Sequence, residues 1–539
     1  MNEPASLPAA NRRDAWLTWL AIAVSFWLFS GLAAPFPSVN EPHYFTKARH
    51  FWQPNWLGQD FFLASTDAHV VFFATIGWLT TVASFPVAVV MARLIAGALL
   101  AAGWMSAFQP LLPGSLATLA SAWLFLGFQA IANFSGEWLV GGAEGKVYAY
   151  GLLLLAFGQF ARHRLIRSGI CLGLAISFHP VVGGWATLAA IATLVVSAVY
   201  QFVHHQPNPE SPAAFFPLSL TQNLLNITKF GLATVVCALP GLIPAISLLT
   251  TPVDPQTKYA GTYLQVFYRL RHHLDPMAFP VESYGFYGIL LAAWAGFVIA
   301  TWNRRTSLDR VWQSLVFWSI IFAFCGIALG YGPRPPQKMP GFVWRMDLLK
   351  FYPFRVADLL LPMACAMLIT QRACGNRRLS PRIRTMAILI LAVTSLWHVA
   401  SEARHARYAW SRQPDWIAVC QWIDQHLPDD VVVQTPRSNY TFKWFAKRSE
   451  YVAFKDCPQD AAGIVEWNRR LQFLGKFYQD HFAAGSGYRT QDLRELSRQT
   501  GITHLLTDRL GPIEQAPIYA NGTYRLYDLN PSISGSPPE

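Results

Sequence analysis

The chain has 539 residues, 53% of them hydrophobic and only 13% charged, with 21 Trp, 37 Phe and a formal net charge of +12. A soluble globular protein carries about 25% charged residues, so most of this surface is suited to lipid rather than water. The positive excess does not point to nucleic acid, because much of it sits in short clusters between apolar runs, the pattern of basic loops retained on the cytoplasmic side of a membrane.

Arg12 and Arg13 precede the first apolar run, 16–33. It has the look of a signal peptide but lacks a convincing small-residue cleavage site and is followed by many more spans, so it reads as an uncleaved first helix. Apolar runs long enough to cross a bilayer recur up to position 400 and predict about 11–13 transmembrane helices. Four basic clusters mark cytoplasmic points: Arg12/Arg13, Arg162/Arg164/Arg167, Arg304/Arg305/Arg310 and Arg372/Arg377/Arg378/Arg382/Arg384. Between them, loops 34–69, 133–146, 251–283 and 332–355 fall on the outer side. Segments 70–86, 87–108 and 112–132 are three where an even number of crossings is needed, so one of them is expected not to span. Arg93 lies in this stretch, and an intramembrane charge is costly unless paired or hydrated. The last helix is expected at 385–400, and the region after it, 401–539, outside. Arg404 and Arg407 depart mildly from the basic-inside pattern.

Residues 401–539 have ordinary polar composition and suffice for an independent domain. Strand-length apolar runs at 431–435, 451–454, 504–507 and 524–528 alternate with helical patterns near 413–426, 438–447, 459–480 and 491–499, which predicts a small α/β sheet. This domain is expected to be accessory, although the Thr435-Pro436-Arg437, Lys443-Trp444 and Lys455-Asp456 segments are candidates for contacting an acceptor. The seven Cys lack metal spacing; Cys420 and Cys457 fall in this domain, with no support for a disulfide between them. The Ser/Pro tail, 532–539, reads as disordered.

The outer loops hold the chemistry. The first carries Asn40-Glu41-Pro42-His43-Tyr44, then Asp60 and Asp67-Ala68-His69. Such a density of acids, His and aromatics suits a polar substrate at the mouth of a bundle, or an aromatic belt at headgroup depth. The second loop, from Ser135-Gly136-Glu137-Trp138 to Gly142-Ala143-Glu144-Gly145-Lys146, sets a carboxylate and an amine two positions apart beside glycines that admit close backbone approach. It can equally be a helix start with a favourable acid. His179-Pro180 breaks an apolar run near the outer face. Arg269-Leu270-Arg271-His272-His273 can hold phosphate through charge-assisted bonds or bind lipid headgroups. Phe354-Arg355 begins an outer helix end, where Arg355 can bind phosphate bidentately or pair with Asp358 at i,i+3.

With Glu41-Pro42-His43-Tyr44 and Ala48 after the first helix, Glu144 in the second loop, Phe354-Arg355 before a late helix and a soluble domain after the last one, the chain resembles the GT-C class of membrane glycosyltransferases. It is also similar to an uncharacterised bacterial membrane family with Asn-Glu-Pro-His-Tyr and Gly-Gly-x-Glu-Gly-Lys-Val signatures. The resemblance implies a GT-C-like helical domain over 1–400 in the bacterial cytoplasmic membrane. It also implies a polyprenyl-phosphate sugar donor, membrane lipid as a partner, a protein, lipid or glycan acceptor, and an inverting transfer. Glu41 would be the general base, with Asp60 as fallback; His43, Tyr44, Glu144, Lys146, His179, Arg269 and Arg355 would bind substrate. The class pattern has two acids where this chain has Asn40-Glu41, which weakens the case for a divalent cation. A non-catalytic transporter or a lipid- or glycan-binding assembly protein is the competing class; a transporter should show inverted repeats and matching broken helices, and neither is clear.

Overall fold

A computed structural model of the chain describes residues 12–530 apart from 35, 205–219, 303–304, 376–379, 381, 383–385, 387–392, 394–413, 438 and 485–486. The expected last helix at 385–400, the Arg377, Arg378, Arg384, Arg404 and Arg407 positions and the tail 532–539 lie wholly or largely outside the described residues. Among the described residues seven helices are long and apolar enough to cross a membrane: Arg12–Ala33, Phe85–Leu111, Pro180–Val199, Leu224–Thr250, Val281–Ala300, Ser307–Gly330 and Ala357–Cys374. Two shorter apolar helices, Ser115–Ile131 and Leu165–Phe178, accompany them. The protein is a helical membrane protein with a C-terminal α/β domain.

Of the three apolar segments between the first two basic clusters, 70–86 is the broken one. It folds as Val70–Ala74, a 3₁₀ turn Ile76–Trp78 and Leu79–Val82, and the next helix starts afresh at Phe85 with Pro86 in its first turn, a position where the missing N–H of proline costs nothing. The Leu220–Thr250 helix packs on Leu165–Phe178 so closely that a Cβ on Gly173 would meet the Thr234 carbonyl at 2.4 Å. Its other side is apolar and exposed, with Leu232, Val235, Val236, Leu239 and Ile243 turned outward. That two-sidedness matters for the site, because the C-terminal end of this helix forms one of its walls.

In the C-terminal domain five strands, β1 (Val432–Gln434), β2 (Ser449–Glu450), β3 (His504–Thr507), β4 (Tyr519–Ala520) and β5 (Arg525–Asp528), form one sheet in the order β2-β1-β3-β5-β4. β1 runs parallel to both β2 and β3, while β5 is antiparallel to β3 and β4. Side chains alternate across the sheet: Val432, Leu505 and Tyr527 join Trp467 and Leu493 on one face, and Val431, Val433, Leu506 and Leu526 join Trp416 and Phe442 on the other. The helices Pro414–His426, Phe442–Ala446, Ala461–Ala484 and Thr490–Thr500 fall near the predicted helical stretches. The strand expected at 451–454 is instead β2, two residues earlier; Tyr451 and Val452 follow it into the domain's own core beside Trp467, and Phe454 meets Tyr268 of the membrane region. β4 is only two residues long and carries no strand signature of its own. Cys420 and Cys457 are free thiols.

The carboxyl ends of β1 and β2 face the outer loops. Glu450 donates its backbone N–H to Asp60 Oδ2 at 3.0 Å, Arg437 reaches the Tyr268 hydroxyl at 2.7 Å, and Trp444 stacks on Phe85 with ring centroids 5.0 Å apart. In open α/β sheets ligands bind at this end of the strands; here the membrane region covers it.

Candidate functional site

Glu41 opens the Glu41–Trp52 helix and is fully buried. Its Oε1 accepts from Arg93 Nε at 2.7 Å and from the Ala143 N–H at 2.8 Å; its Oε2 accepts from Arg93 Nη2 at 2.8 Å and from the Ser38 N–H at 2.6 Å. The intramembrane Arg93 thus has its counter-ion, and Glu41 has four donors and no free lone-pair direction for a substrate. Expected as the general base, Glu41 lies buried against a helix arginine. Asp60 is equally committed. It is buried, its Oδ1 accepts from the Leu63 N–H at 2.9 Å, and its Oδ2 takes the Glu450 N–H and lies 3.5 Å from Lys443 Nζ.

Neither residue lines a cavity of about 710 Å³ between these loops and the C-terminal domain. All seven expected binding residues do: His43, Tyr44, Glu144, Lys146, His179, Arg269 and Arg355. They come from five segments far apart in sequence. The remaining wall is apolar, formed by Leu242, Ala245, Ile246, Leu248 and Leu249 at the outer end of the Leu220–Thr250 helix. Ile246 and Leu249 are 47% and 50% exposed, so this wall is continuous with the lipid-facing surface.

A chain of polar contacts runs along the other side. Glu144 Oε1 accepts from Asn40 Nδ2 at 2.6 Å, and its Oε2 lies 3.8 Å from Lys146 Nζ. Lys146 sits over the Trp138 ring at 4.0 Å and pairs with Glu137 at 3.2 Å. The other Glu137 oxygen meets Arg355 Nε at 3.0 Å, and Arg355 Nη1 donates to His179 Nε2 at 2.9 Å. Because an arginine can only donate, this bond fixes Nε2 of His179 as the unprotonated nitrogen. Burial, then the neighbouring Arg355, pushes the His179 pKa well below its ordinary value, which agrees with a neutral ring. The His179 ring lies 5.1 Å from that of His69, whose Nδ1 is buried without a hydrogen bond, and His69 lies 5.2 Å from Tyr44. Arg355 packs over Tyr352 at 4.1 Å, and Tyr352 holds φ at 52°, a left-handed conformation that a bulky residue adopts only where its surroundings enforce it.

Burial raises the pKa of Glu144, partly offset by Lys146 and the Asn40 bond. Among the acids lining the cavity it therefore has basicity above an ordinary carboxylate together with an unsaturated side. The glycines beside it serve the protein's own packing: a Cβ at Gly142 would meet Ser38 Oγ at 2.6 Å, and one at Gly145 the Phe178 carbonyl at 3.0 Å. They let the second loop lie against the first, so that Asn40 can reach Glu144.

Two acids organise this loop from behind. Asp358 does not pair with Arg355; its carboxylate accepts the N–H groups of Phe134 and Ser135 at 2.9 Å each and the Ser135 hydroxyl, pinning the loop to the Ala357–Gly375 helix. Glu137, not singled out from sequence, is the pivot shared by Lys146 and Arg355. Its only sequence signal was an acid seven residues before Glu144 in the same loop.

The C-terminal domain closes the cavity with residues 455–461. Asp456 accepts from His43 Nδ1 at 3.0 Å and from Lys443 Nζ at 2.6 Å, and Lys443 also pairs with Glu450 at 2.9 Å. Lys443, Trp444, Arg437 and Asp456, considered as acceptor contacts, are thus consumed in docking the domain. Lys455 and Cys457 line the cavity. A domain expected to be accessory therefore forms part of the site's wall.

Among the described residues no group of three or more His, Cys, Asp and Glu side chains is arranged to hold a metal ion. Glu41 is saturated by Arg93 and two backbone N–H groups, and Asn40 turns its amide to Glu144, so the first loop does not fit a divalent cation.

A domain family of unknown function, DUF6798, matches residues 414–474, within the C-terminal domain. No curated protein matches the chain. Among solved structures, the apo oligosaccharyltransferase of Archaeoglobus fulgidus is similar at 10% identity and a TM-score of 0.47, over 92% of this chain and 70% of that one.

Proposed function

We propose that the protein is a membrane glycosyltransferase that moves a sugar from a polyprenyl-phosphate donor to an acceptor at the outer face of the bacterial cytoplasmic membrane, with Glu144 rather than Glu41 as general base. The observation that carries this reading is the two-sided cavity: one wall of lipid-facing aliphatic side chains, the opposite wall of Lys, Arg and His with a buried carboxylate among them. A prenyl phosphate has that same division between chain and head. A soluble sugar nucleotide would have no use for the aliphatic wall.

In this mechanism the donor's chain lies along the outer end of Leu220–Thr250 and its phosphate meets the cations. Glu144 takes the proton from an acceptor hydroxyl as that oxygen bonds to the anomeric carbon. The bond from that carbon to the phosphate oxygen breaks on the opposite side, inverting the centre, and the electron pair leaves with the phosphate. A carboxylate of raised basicity suits the proton transfer, and the cations of the polar wall stabilise the leaving phosphate in a poorly solvated space. Asn40, donating to Glu144 Oε1, orients the base and leaves Oε2 toward Lys146.

The test is release of labelled sugar from a panel of polyprenyl-phosphate donors by purified protein in nanodiscs, wild type against Glu144→Gln. Turnover by wild type and its loss in the variant at unchanged melting temperature is the expected result. No release from any donor, with tight donor binding retained, would turn the assignment to a lipid-binding or transport protein.

A further inference from the structure

The cations lining the cavity are not equivalent. Lys146 and Arg355 share Glu137, and Lys350 lies 3.9 Å from Asp347. Arg269 and Lys455 also line the cavity, and among the described residues neither has a carboxylate within ion-pair distance. Arg269 donates Nη2 to the Lys455 carbonyl at 2.9 Å, while its Nε is buried with no acceptor. This bond sets the arginine beside the lysine's backbone, two like charges drawn together by the fold rather than by each other. His272 lies on the same wall.

The placement is rigid. Asp456 next door is clamped by His43 and Lys443. Gln459 accepts the Ala68 N–H at 3.1 Å, and a Cβ on Gly261 would meet the Ala461 Cα at 2.9 Å, so the first and third outer loops both grip this segment. Two adjacent cations without a directly paired carboxylate, one with a buried orphan donor, cost free energy unless an anion joins them. A fixed pair of this kind is suited to phosphate oxygens.

We propose that Arg269 and Lys455 form the phosphate subsite of the cavity, so that the C-terminal domain supplies a substrate-binding residue, and that Arg355, already neutralised by Glu137, positions His179 and the second loop instead. The proposal rests on the lipid-phosphate reading for the identity of the ligand, but not on transfer itself. The phosphate belongs to the lipid-linked donor or to a phosphorylated acceptor, and the two sources separate by probe.

The experiment is equilibrium binding to the full chain in nanodiscs with three probes: geranylgeranyl phosphate, geranylgeraniol and glucose 1-phosphate. Loss of one charge-assisted bond weakens binding by about tenfold to a hundredfold. Lys455→Gln and Arg269→Gln are each expected to weaken geranylgeranyl phosphate by that factor and to leave geranylgeraniol unchanged, while Lys455→Arg binds as wild type does. Weakening of glucose 1-phosphate alone would support the subsite and assign it to the acceptor. Both Gln variants binding every probe as wild type does, or wild type binding neither phosphate, overturns the proposal. Sugar release in the same preparations keeps the two readings apart. Turnover with unaffected Lys455→Gln binding sinks only the subsite, and weakened binding without turnover from any donor sinks only the transferase.

Discussion

Two buried acids, Glu41 and Glu144, lie on either side of the same loop-to-loop contact and are bonded differently. Glu41 meets Arg93 with both oxygens and takes two backbone N–H groups besides. Glu144 has one amide donor and a lysine 3.8 Å away, and faces a cavity. The difference teaches that burial does not distinguish a structural carboxylate from a chemical one; the number of donors already spent on it does. A carboxylate with four donors has no lone-pair direction left for a substrate proton.

The sharpest way to break the comparison is to neutralise each acid in turn without changing its shape. Glu144→Gln should lower sugar transfer by about 10²–10⁴-fold, the usual contribution of a positioned base, with melting temperature unchanged. The reverse is expected of Glu41→Gln, which leaves Arg93 buried with a neutral partner. Losing one member of a buried ion pair costs about 3–5 kcal/mol, read as a lower melting temperature and a lower yield of folded protein. The double variant Glu41→Gln/Arg93→Met should recover much of that loss, since replacing both charges by neutral groups removes the unpaired one. If Glu41→Gln melts like wild type and abolishes transfer, the roles assigned to the two acids are exchanged.

A smaller effect is expected where the first loop meets the C-terminal domain. His43→Gln removes the 3.0 Å bond to Asp456 but leaves Lys443 on that carboxylate, so about 1 kcal/mol is at stake. Limited proteolysis should show faster cleavage between the membrane region and the C-terminal domain, with the isolated membrane region unaffected. Equal cleavage rates would mean that Lys443 and the Trp444–Phe85 stack hold the domain alone.

How much of this was legible without coordinates follows from the kind of contact involved. His43, Tyr44, Glu144, Lys146, His179, Arg269 and Arg355 could be singled out because polar residues at the outer ends of apolar runs are few, and a cavity at the membrane mouth has little else to be lined with. Position alone said nothing about their partners. Arg93 was visible as a charge in need of one, yet its distance of 52 residues from Glu41 hid the pairing that decides Glu41's role. Glu137 was passed over for the same reason, since it matters because two cations converge on it; Lys455 was singled out only as a candidate acceptor contact, because nothing in the sequence told that its domain folds back over the bundle. The strand after β1 was misplaced by two residues because Tyr451 and Val452 have strand-forming side chains but pack into the domain's core beyond the end of the ladder, tertiary packing that overrides local propensity.

The least disruptive test titrates a single lysine. Burial, then the nearby Arg269, brings the Lys455 pKa down to about 8, with Glu144 and Asp456 pulling upward and Lys146 downward. The sign follows from the charge. Below pH 8 the ammonium is present and attracts phosphate; above it the free protein must first take up a proton, so affinity for an anionic lipid falls as pH rises. One unit above the pKa the protonated fraction is about a tenth, and binding should weaken by up to about tenfold between pH 7 and 9 if the bound phosphate keeps the lysine charged. Lys455→Arg, whose guanidinium stays charged throughout this range, should flatten the profile, and Lys455→Gln should flatten it at the weaker level. Glu144 carries a raised pKa of its own, but a carboxylate that loses its proton adds repulsion of the same direction, so the Arg variant is the measurement that separates them: a residual slope in Lys455→Arg belongs to Glu144 or to the histidines of the cavity, and a slope equal to that of wild type removes Lys455 from the phosphate's surroundings.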